Sequence, residues 1–311
     1  MPNRTAYRTY GDPDVLTYES YEPGQPGPGQ VLVRTAMIGV NPVDWKLIAG
    51  MFGPADPAPF PGVPGWASAG TVEAIGPGVD SSWNGLDVVV DSRARVDVTI
   101  GSQAGTYQDL LVVDARQLET KPHGLSWEQA AGIPSSGVAG YSMIAGLRVT
   151  AKDTVLVHGA AGGVGSAAAQ VALARGARVI GTASPRNHDY LQSLGVTPVD
   201  YRQDDLVDAI RDVGTVTASA DAVGGAASVA VTSELLGRTR RWVTAWGDEA
   251  SQAAGIPWVQ HPDDELRRSL ELASTGKLTV RVDSVLPLRE AAAALNRIKT
   301  GHTDGKILLL P

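Results

Sequence analysis

Three evenly spaced glycines follow a short apolar segment in the middle of the chain. The run GAAGGVG at residues 159–165 contains Gly159, Gly162 and Gly165, with apolar residues 155–157 before it and an alanine-rich stretch after it. Strand, glycine turn and helix in this order favour binding of a dinucleotide, because glycine lets a pyrophosphate approach and the helix N-terminus has free N–H groups. The usual pattern is G-x-G-x-x-G, and Ala160 replaces its first glycine. A purely structural turn is the alternative.

The segment after the second strand indicates which dinucleotide binds. An NAD site usually has an acidic residue about 20 residues after the glycines. Residues 181–187 read GTASPRN, and the first carboxylate is Asp189. Ser184 can donate a hydrogen bond, and Arg186 can bind a phosphate through two N–H groups. The sequence therefore predicts NADPH, with a solvated Arg186 as the alternative.

A second polar group occurs early in the chain. Asn41, Asp44 and Lys46 lie together in the run GVNPVDWKLIAG, beside an apolar segment. Asn41 followed by proline suits the start of a helix, and Asp44 favours its first turn. These residues are either a functional group or a helix cap with solvated charges.

The composition excludes several classes of protein. The chain has 311 residues, 43% hydrophobic and 19% charged, which suits a globular protein of about two domains. A net charge of −7 argues against nucleic acid or an anionic membrane as partner. No apolar run approaches the roughly 18 residues of a membrane span, and the polar N-terminus does not resemble a secretory signal, so we expect a cytoplasmic location.

No metal site is expected. The chain has no cysteine, so thiolate ligands are impossible. The five histidines form no H-x-x-H or H-x-x-x-H pair; they are His123, His158, His188, His261 and His302.

Two kinds of structure are predicted along the chain. Short strands divided by proline and glycine indicate a barrel-like β domain first. They are predicted over residues 7–10, 16–18, 31–38, 70–75, 86–91 and 106–113, with an irregular loop over 53–66. From Pro122, strands alternate with helices, which predicts a parallel sheet with helices on both faces. Ser126 and Gln129 form a capping-box pattern at the first of these helices.

Ligands of such sheets bind beyond the carboxyl ends of the strands. This edge is predicted to carry the loops at residues 159–165, 184–187, 221–225 and 246–247. A helix over 288–300 and a strand over 306–310 end the chain. From the pattern alone, that last strand either extends the parallel sheet or returns to the first domain.

Six segments together resemble the medium-chain dehydrogenase/reductases, and within them the zinc-independent quinone oxidoreductase-like group. They are GVNPVDWKLIAG (39–50), PGWASAGTVEAIGPGV (64–79), GTYQDLLVV (105–113), KPHGLSWEQAAGIP (121–134), VLVHGAAGGVG (155–165) and GHTDGKILLLP (301–311). The resemblance implies an α/β fold: a Rossmann doubly wound parallel sheet domain at residues 124–270 that binds NADPH, and a GroES-like, β-barrel-like catalytic domain at residues 1–123 and 271–311. It also implies that the last strand returns to the catalytic domain, and that the protein is a homodimer.

The resemblance further implies specific contacts with NADPH. Ala160, Gly162, Gly163, Val164 and Gly165 would hold the cofactor, with Thr182 under the ribose. Ser184, Arg186 and Tyr201 would lie near the adenosine phosphate, and Val223, Ala245 and Trp246 near the nicotinamide. The substrate would be a small molecule, either an electron-poor alkene or a quinone.

Several positions depart from the group. Ala67 and Ala139 stand where an acidic residue and a threonine are common, and Ser135 lies in an unusually polar segment. Trp45, Trp66 and Trp246 bring bulky rings, and Trp45, Trp66 and Ser135 are predicted to line a substrate pocket. The tryptophans can equally belong to the core.

The implied reaction adds a hydride to the β-carbon of an α,β-unsaturated carbonyl compound, and the charge on the carbonyl oxygen then needs a donor. Asn41, Lys46 and Tyr141 can donate, with Asp44 orienting Lys46. One alternative is a trans-acting enoyl reductase on a carrier-bound thioester in natural-product biosynthesis. Its mark would be a basic docking patch at Arg238, Arg240 and Arg241. Another is a non-redox cyclase or NADPH-binding protein on the same fold.

Overall fold

The computed structural model describes residues 1–51, 60–92, 105–237, 239–301 and 303–311. The chain divides into two compact units. The first unit comprises Met1–Ser135 and Val280–Pro311, and the second comprises Ser136–Thr279. None of the helices within the described ranges is long and apolar enough to cross a bilayer.

The first unit consists mainly of short strands. Its elements up to residue 135 are β1 (Asn3–Ala6), β2 (Thr17–Ser20), β3 (Gln30–Gly39), α1 (Pro42–Ile48), β4 (Ala67–Ile75), β5 (Asp87–Asp91), β6 (Leu110–Asp114), β7 (Leu118–Thr120) and α2 (Trp127–Gly132). The alternating side chains Val31 and Val33 of β3 are fully buried, as expected for a strand with one face on a core. β3 pairs antiparallel with both β4 and β6.

The second unit alternates strands and helices. Its elements are α3 (Val138–Gly146), β8 (Thr154–His158), α4 (Gly163–Ala174), β9 (Arg178–Ala183), α5 (His188–Ser193), β10 (Thr197–Asp200), α6 (Leu206–Val213), β11 (Ala218–Asp221), α7 (Ala226–Leu236), β12 (Trp242–Thr244), α8 (Glu249–Ala253) and α9 (Glu265–Ser274). The five strands form a parallel sheet in the order β10-β9-β8-β11-β12. All five residues of β8 are buried, which explains its continuous apolar sequence.

This strand order confirms the predicted doubly wound sheet. The chain runs outward from β8 to β10 and then crosses to β11 on the other side of β8. The order therefore reverses between β8 and β11, and the crevice beyond their carboxyl ends is where such sheets bind ligands.

The end of the chain returns to the first unit, as the resemblance implied. Its elements are β13 (Val282–Pro287), α10 (Ala291–Lys299) and β14 (Lys306–Leu310). β14 pairs parallel with β13 and antiparallel with β3, where Leu308 lies opposite Gly39. The sheet order is β13-β14-β3-β4-β5-β7, with β6 also paired to β3.

Two strand predictions in the first unit were wrong in part. β1 ends at Ala6, and Tyr7 makes only an isolated bridge to Gly62. Tyr7, Tyr10 and Phe60 form an aromatic cluster, with Tyr10 and Phe60 ring centroids 5.3 Å apart, so these aromatic residues reflect core packing. The strand expected from residue 106 begins only at Leu110. The loop predicted over residues 53–66 lies partly outside the described residues.

Candidate functional site

The glycine loop joins β8 to α4 and is tied to the end of β9. Gly159 has φ +67°, in the left-handed region that favours glycine. Its N–H donates to Thr182 Oγ1 at 3.2 Å, and the N–H of Ala160 donates to the Thr182 carbonyl at 3.0 Å. Thr182 is buried, and through these two hydrogen bonds it holds the turn in place.

The glycines of this loop serve different purposes. A Cβ on Gly165 would lie 2.2 Å from the carbonyl oxygen of Gly159, so only glycine allows α4 to pack this close to the turn. A Cβ on Gly162 would meet only that same oxygen, at 3.4 Å, so the space beside Gly162 is open. This open space lets a ligand reach the backbone.

The missing first glycine is compensated in β9. Ala160 is fully buried, and a Cβ placed on Gly181 would lie 2.6 Å from the Ala160 methyl carbon. Because Gly181 in β9 has no side chain, the methyl group of Ala160 fits without a change in the backbone path of the turn.

The start of α4 fits a pyrophosphate. The helix has 12 residues with Gly162 as its N-cap, and among the described residues no side chain caps it. Backbone N–H groups at a helix start, here those of Gly163 and Val164, have no intrahelical acceptor and lie at the positive end of the helix dipole. Together with the open space beside Gly162, they suit the phosphates of a dinucleotide.

A buried aspartate fixes the loop after β11. Asp221 Oδ1 accepts the N–H groups of Val223 at 2.8 Å and Gly224 at 2.9 Å, and its Oδ2 accepts the Ser228 hydroxyl at 2.7 Å. A Cβ on Gly159 would lie 2.5 Å from Val223 Cγ2. Asp221, which the sequence reasoning missed, thus holds the exposed side chain of Val223 over the glycine loop.

The structure gathers the three residues predicted for the nicotinamide end. The N–H of Ala245 donates to the Asp221 carbonyl at 2.9 Å. The Trp246 indole Nε1 donates to the Ala222 carbonyl at 3.0 Å, and its side chain remains 37% exposed. Ala245 and Trp246 therefore lie beside the loop that carries Val223.

The residues predicted for the adenosine end lie at two neighbouring strand ends. Ala183 of β9 pairs with Asp200 of β10, so the segments that follow them begin side by side. Ser184 and Arg186 belong to one segment and Tyr201 to the other. Arg186 is exposed and Tyr201 is 53% exposed, so both side chains reach solvent at this edge of the sheet.

A buried polar network surrounds the start of α1 in the first unit. Asp44 Oδ2 accepts the N–H of Asn41 at 2.8 Å and the hydroxyl of Tyr107 at 3.0 Å. The Asn41 side chain accepts a hydrogen bond from Lys306 Nζ and donates to the Gly39 carbonyl at 3.0 Å. The sequence does not predict that Tyr107 and Lys306 belong to this network. Tyr107 is 63 positions from Asp44, and Lys306 is 265 positions from Asn41.

Burial dominates the electrostatics of this network. Asn41, Asp44 and Tyr107 are buried, and Lys306 is 8% exposed. Burial raises the pKa of Asp44 to about 7, although the N–H of Asn41, the hydroxyl of Tyr107 and the charge of Lys306 oppose this. Asp44 Oδ1 has no hydrogen-bond partner among the described residues. The hydrogen bond from the Asn41 N–H to Asp44 therefore holds the first turn of α1.

The predicted orientation of Lys46 by Asp44 is wrong. The carboxylate of Asp44 is turned to Asn41 and Tyr107, and burial lowers the pKa of Lys46. Lys46 Nζ lies 5.9 Å from the Trp45 ring centroid, with Lys299 Nζ at 5.6 Å from the same ring. Trp45 packs against the core of the first unit, which supports the core alternative for this tryptophan.

Two further predicted residues, Tyr141 and Ser135, lie outside the glycine loop. The Tyr141 ring centroid lies 5.9 Å from the guanidinium of Arg175 at the end of α4. Gly140, the residue before Tyr141, packs against the start of the same helix, where an added Cβ would lie 2.8 Å from the Val164 carbonyl oxygen. Ser135 is half-buried with φ 73° and ψ −76°, a strained conformation for a residue other than glycine. Half-buried Trp66 accepts the Ser92 N–H through its carbonyl at 3.0 Å.

Two family models match the chain: the alcohol dehydrogenase GroES-like domain over residues 27–123 and zinc-binding dehydrogenase over residues 194–309. A quinone oxidoreductase of Pseudomonas aeruginosa is 29% identical over 349 residues, covering all of both chains. The structure of the quinone oxidoreductase from Coxiella burnetii superposes with a TM-score of 0.86 at 26% identity, covering 100% of this chain and 99% of that one. The chain belongs to the medium-chain dehydrogenase/reductase superfamily.

Within that superfamily this oxidoreductase falls in the quinone oxidoreductase-like group, as its motifs indicated. Membership implies a nicotinamide cofactor, which the loop and helix start described above fit. The phthioceranic/hydroxyphthioceranic acid synthase of Mycobacterium bovis is also similar, at 29% identity over 98% of this chain and 15% of that protein.

The departure at Ala67 has a packing reason in this oxidoreductase. Ala67 is fully buried, and a Cβ on Gly39 would lie 3.3 Å from the Ala67 methyl carbon. A carboxylate would have to displace this close contact between β3 and β4. Among the described residues no group of three or more histidine, aspartate or glutamate side chains is arranged to hold a metal.

Proposed function

We propose that this oxidoreductase is a zinc-independent reductase that uses NADPH to reduce the activated C=C bond of an α,β-unsaturated carbonyl compound, or a quinone. The observation that carries the proposal is the end of β9. Ser184 and Arg186 follow it, no carboxylate occurs in residues 181–187, and the exposed Arg186 guanidinium suits a 2′-phosphate.

The chain's part in cofactor binding follows from the described loops. When bound, the reduced nicotinamide supplies a hydride. The N–H groups of Gly163 and Val164 bind the pyrophosphate, and Thr182 keeps their turn in place. Val223 and Trp246, held through Asp221 and Ala222, present an apolar surface at the nicotinamide end.

Reduction of an enone requires one hydride and one proton. The hydride enters at the β-carbon, and the electron pair of the C=C bond moves onto the carbonyl oxygen as an enolate. We assign the stabilisation of that oxygen to Lys46, whose lowered pKa makes its ammonium a better proton donor. A proton from solvent then adds to the α-carbon of the enolate and gives the saturated product, while the buried Asn41 and Asp44 keep α1 in position.

Arg186→Ala should weaken NADPH binding by roughly 10- to 100-fold, the loss of a charge-assisted hydrogen bond to phosphate, and should leave NADH binding nearly unchanged. Fluorescence titration with both dinucleotides measures this. Arg211→Ala, an exposed arginine of α6, is the matched control and should change neither affinity. An equal loss for NADPH and NADH would contradict the role of Arg186.

Lys46→Met should lower kcat by about 10²-fold with little effect on the Kd of NADPH, since general-acid groups typically contribute that much. Lys46→Arg keeps the charge and should recover part of the rate. Stopped-flow measurement of single-turnover reduction separates chemistry from binding. An unchanged rate in Lys46→Met would remove this residue from the mechanism.

Loss of NADPH absorbance with a panel of enones and quinones tests the reaction class. Tight NADPH binding without turnover of any acceptor would favour the non-redox alternative. The enoyl reductase alternative is supported by the similarity to the mycobacterial synthase, and turnover of short enoyl thioesters tests it. Of its predicted basic patch, Arg241 is bound to Asp153 and the Leu147 carbonyl, and Arg238 lies outside the described residues, so the patch stays a prediction.

We also propose a homodimer. β12 is the last strand of the parallel sheet, and residues Pro257 and Val259 each bond to Thr244 on its outer side. Trp258, between them, is 60% exposed and offers apolar surface to a second copy. Light scattering coupled to size-exclusion chromatography should give twice the chain mass, and Trp258→Ser should shift it toward the monomer.

A further inference from the structure

The fold brings a carboxylate to the adenosine end of the proposed cofactor site. Asp200 is remote from the glycines in the sequence, but its pairing with Ala183 sets it beside the start of the Ser184–Arg186 segment. Carboxylates near the adenosine ribose favour the unphosphorylated dinucleotide and repel a 2′-phosphate. A site for NADPH therefore needs this charge to be cancelled.

Arg202 cancels it. The Arg202 side chain places Nε 3.1 Å from Asp200 Oδ1 and Nη2 3.4 Å from Oδ2. The backbone N–H of Arg202 also donates to Oδ1, at 3.1 Å. These bonds hold the pKa of Asp200 below its usual range, and the charge of His188 acts in the same direction. Asp200 is thus ionised at neutral pH, and its charge is balanced by Arg202 at close range.

The surroundings keep Arg202 at this edge. Its guanidinium carbon lies 5.8 Å from the ring centroid of Tyr201, the residue implied to lie near the adenosine phosphate. His188 Nε2 lies 3.4 Å from the Ala183 carbonyl, so a further ionisable side chain borders the same strand ends. The charges of Arg202 and His188 therefore both act on the Asp200 carboxylate.

We propose that Asp200 and Arg202 form a charge pair that sets the preference for the phosphorylated dinucleotide. Arg202 is a specificity-determining residue because it removes the repulsion between Asp200 and a 2′-phosphate. This inference rests on the proposed use of NADPH. Without Arg202, the carboxylate faces the phosphate directly, and the preference moves toward NADH.

The test is a double-mutant cycle on the full chain with NADPH and NADH as probes. Arg202→Gln should raise the Kd of NADPH roughly three- to fivefold, the upper range for exposed charges in a high dielectric, and leave the Kd of NADH unchanged. Asp200→Asn in the same chain should bring the NADPH Kd back to within about twofold of wild type. The loss in Arg202→Gln should shrink at high salt, because charges about 10 Å apart are screened at 0.1 M.

Asp208→Asn and Arg211→Gln, an exposed pair of the same kind in α6, form the matched cycle and should leave both Kd values unchanged. The inference is overturned if Arg202→Gln leaves the ratio of the NADPH and NADH Kd values unaltered. It is also overturned if the double variant binds NADPH as weakly as Arg202→Gln, which would mean that Arg202 contacts the phosphate itself. Failure of the wild-type protein to bind NADPH would instead refute the proposed function.

Discussion

Gly162→Ala should leave the fold intact and remove most of the affinity for NADPH, whereas Gly165→Ala should damage the fold itself. At Gly162 the φ is −76°, and the added methyl meets one atom at 3.4 Å, so the cost in unfolding free energy is about 1 kcal/mol or less. The methyl group fills the open space beside the backbone N–H groups. We expect NADPH to bind on the order of 10- to 100-fold more weakly.

At Gly165 the added carbon meets only backbone atoms, at 2.2, 2.8 and 3.0 Å. The loop must shift, and we expect a loss of roughly 2–4 kcal/mol of unfolding free energy together with the loss of NADPH binding. Denaturant unfolding and fluorescence titration measure the two effects separately. Gly146→Ala, at the end of α3 with no atom within 4 Å, should change neither. Equal behaviour of Gly162→Ala and Gly165→Ala would refute the distinction between the two glycines.

Asp44→Ala should destabilise the first unit by roughly 3–5 kcal/mol, because a buried network loses its acceptor. The substitution leaves the N–H of Asn41 and the hydroxyl of Tyr107 buried without it, and leaves the ammonium of Lys306 without a nearby carboxylate. Denaturant unfolding measures the loss. A loss below about 1 kcal/mol, typical of an exposed cap, would show that the network contributes little.

The pKa of Asp44 also gives this stability a pH dependence. In the folded chain the pKa is raised to about 7, against about 3.9 when unfolded, so the folded state binds more protons between these values. The contribution of Asp44 to the unfolding free energy is therefore complete below pH 4. It is lost as the pH rises through 7, by at most about 1.4 kcal/mol per pH unit. As the pH rises from 4 to 7, the unfolding free energy of the wild-type protein should fall relative to that of Asp44→Asn.

Asp80 provides a control of opposite sign. It is exposed, and its pKa is lowered by the N–H and hydroxyl of Ser82, so its contribution is present above pH 4 and is lost as the pH falls further. The difference in unfolding free energy between wild type and Asp80→Asn should therefore stay constant from pH 4 to 7, the range in which Asp44 acts, and shrink only below it. A difference between wild type and Asp44→Asn that stays constant or grows from pH 4 to 7 would refute the assignment.

Local patterns made much of the second unit predictable. β8, α4 and β9 follow from an apolar run, a glycine turn and an alanine-rich stretch. Contacts between distant residues were out of reach. Ser126 does cap α2 by accepting the N–H of Gln129 at 3.2 Å, but the Gln129 side chain bonds to both backbone groups of Val280, 151 positions away.

The candidate site likewise combines local features that the sequence predicts with contacts between distant residues that it does not predict. The glycines and the segment after β9 could be read directly, because phosphate binding depends on neighbouring residues. The compensation of Ala160 by Gly181 and the balance of Asp200 by Arg202 depend on which strands lie side by side. The partners of Asp44 and Asn41 come from Tyr107 and Lys306, which no periodicity connects to α1.

The position of β14 also fixes the order in which the two units can be completed during synthesis. β14 lies between β13 and β3, and its first residue, Lys306, bonds to Asn41. A ribosome makes the chain from its N-terminus, so β3 and α1 are translated early but lack this neighbour until residues 306–310 emerge. The second unit is one continuous segment and has all its strands by then. The unit that is begun first is thus the last to be finished.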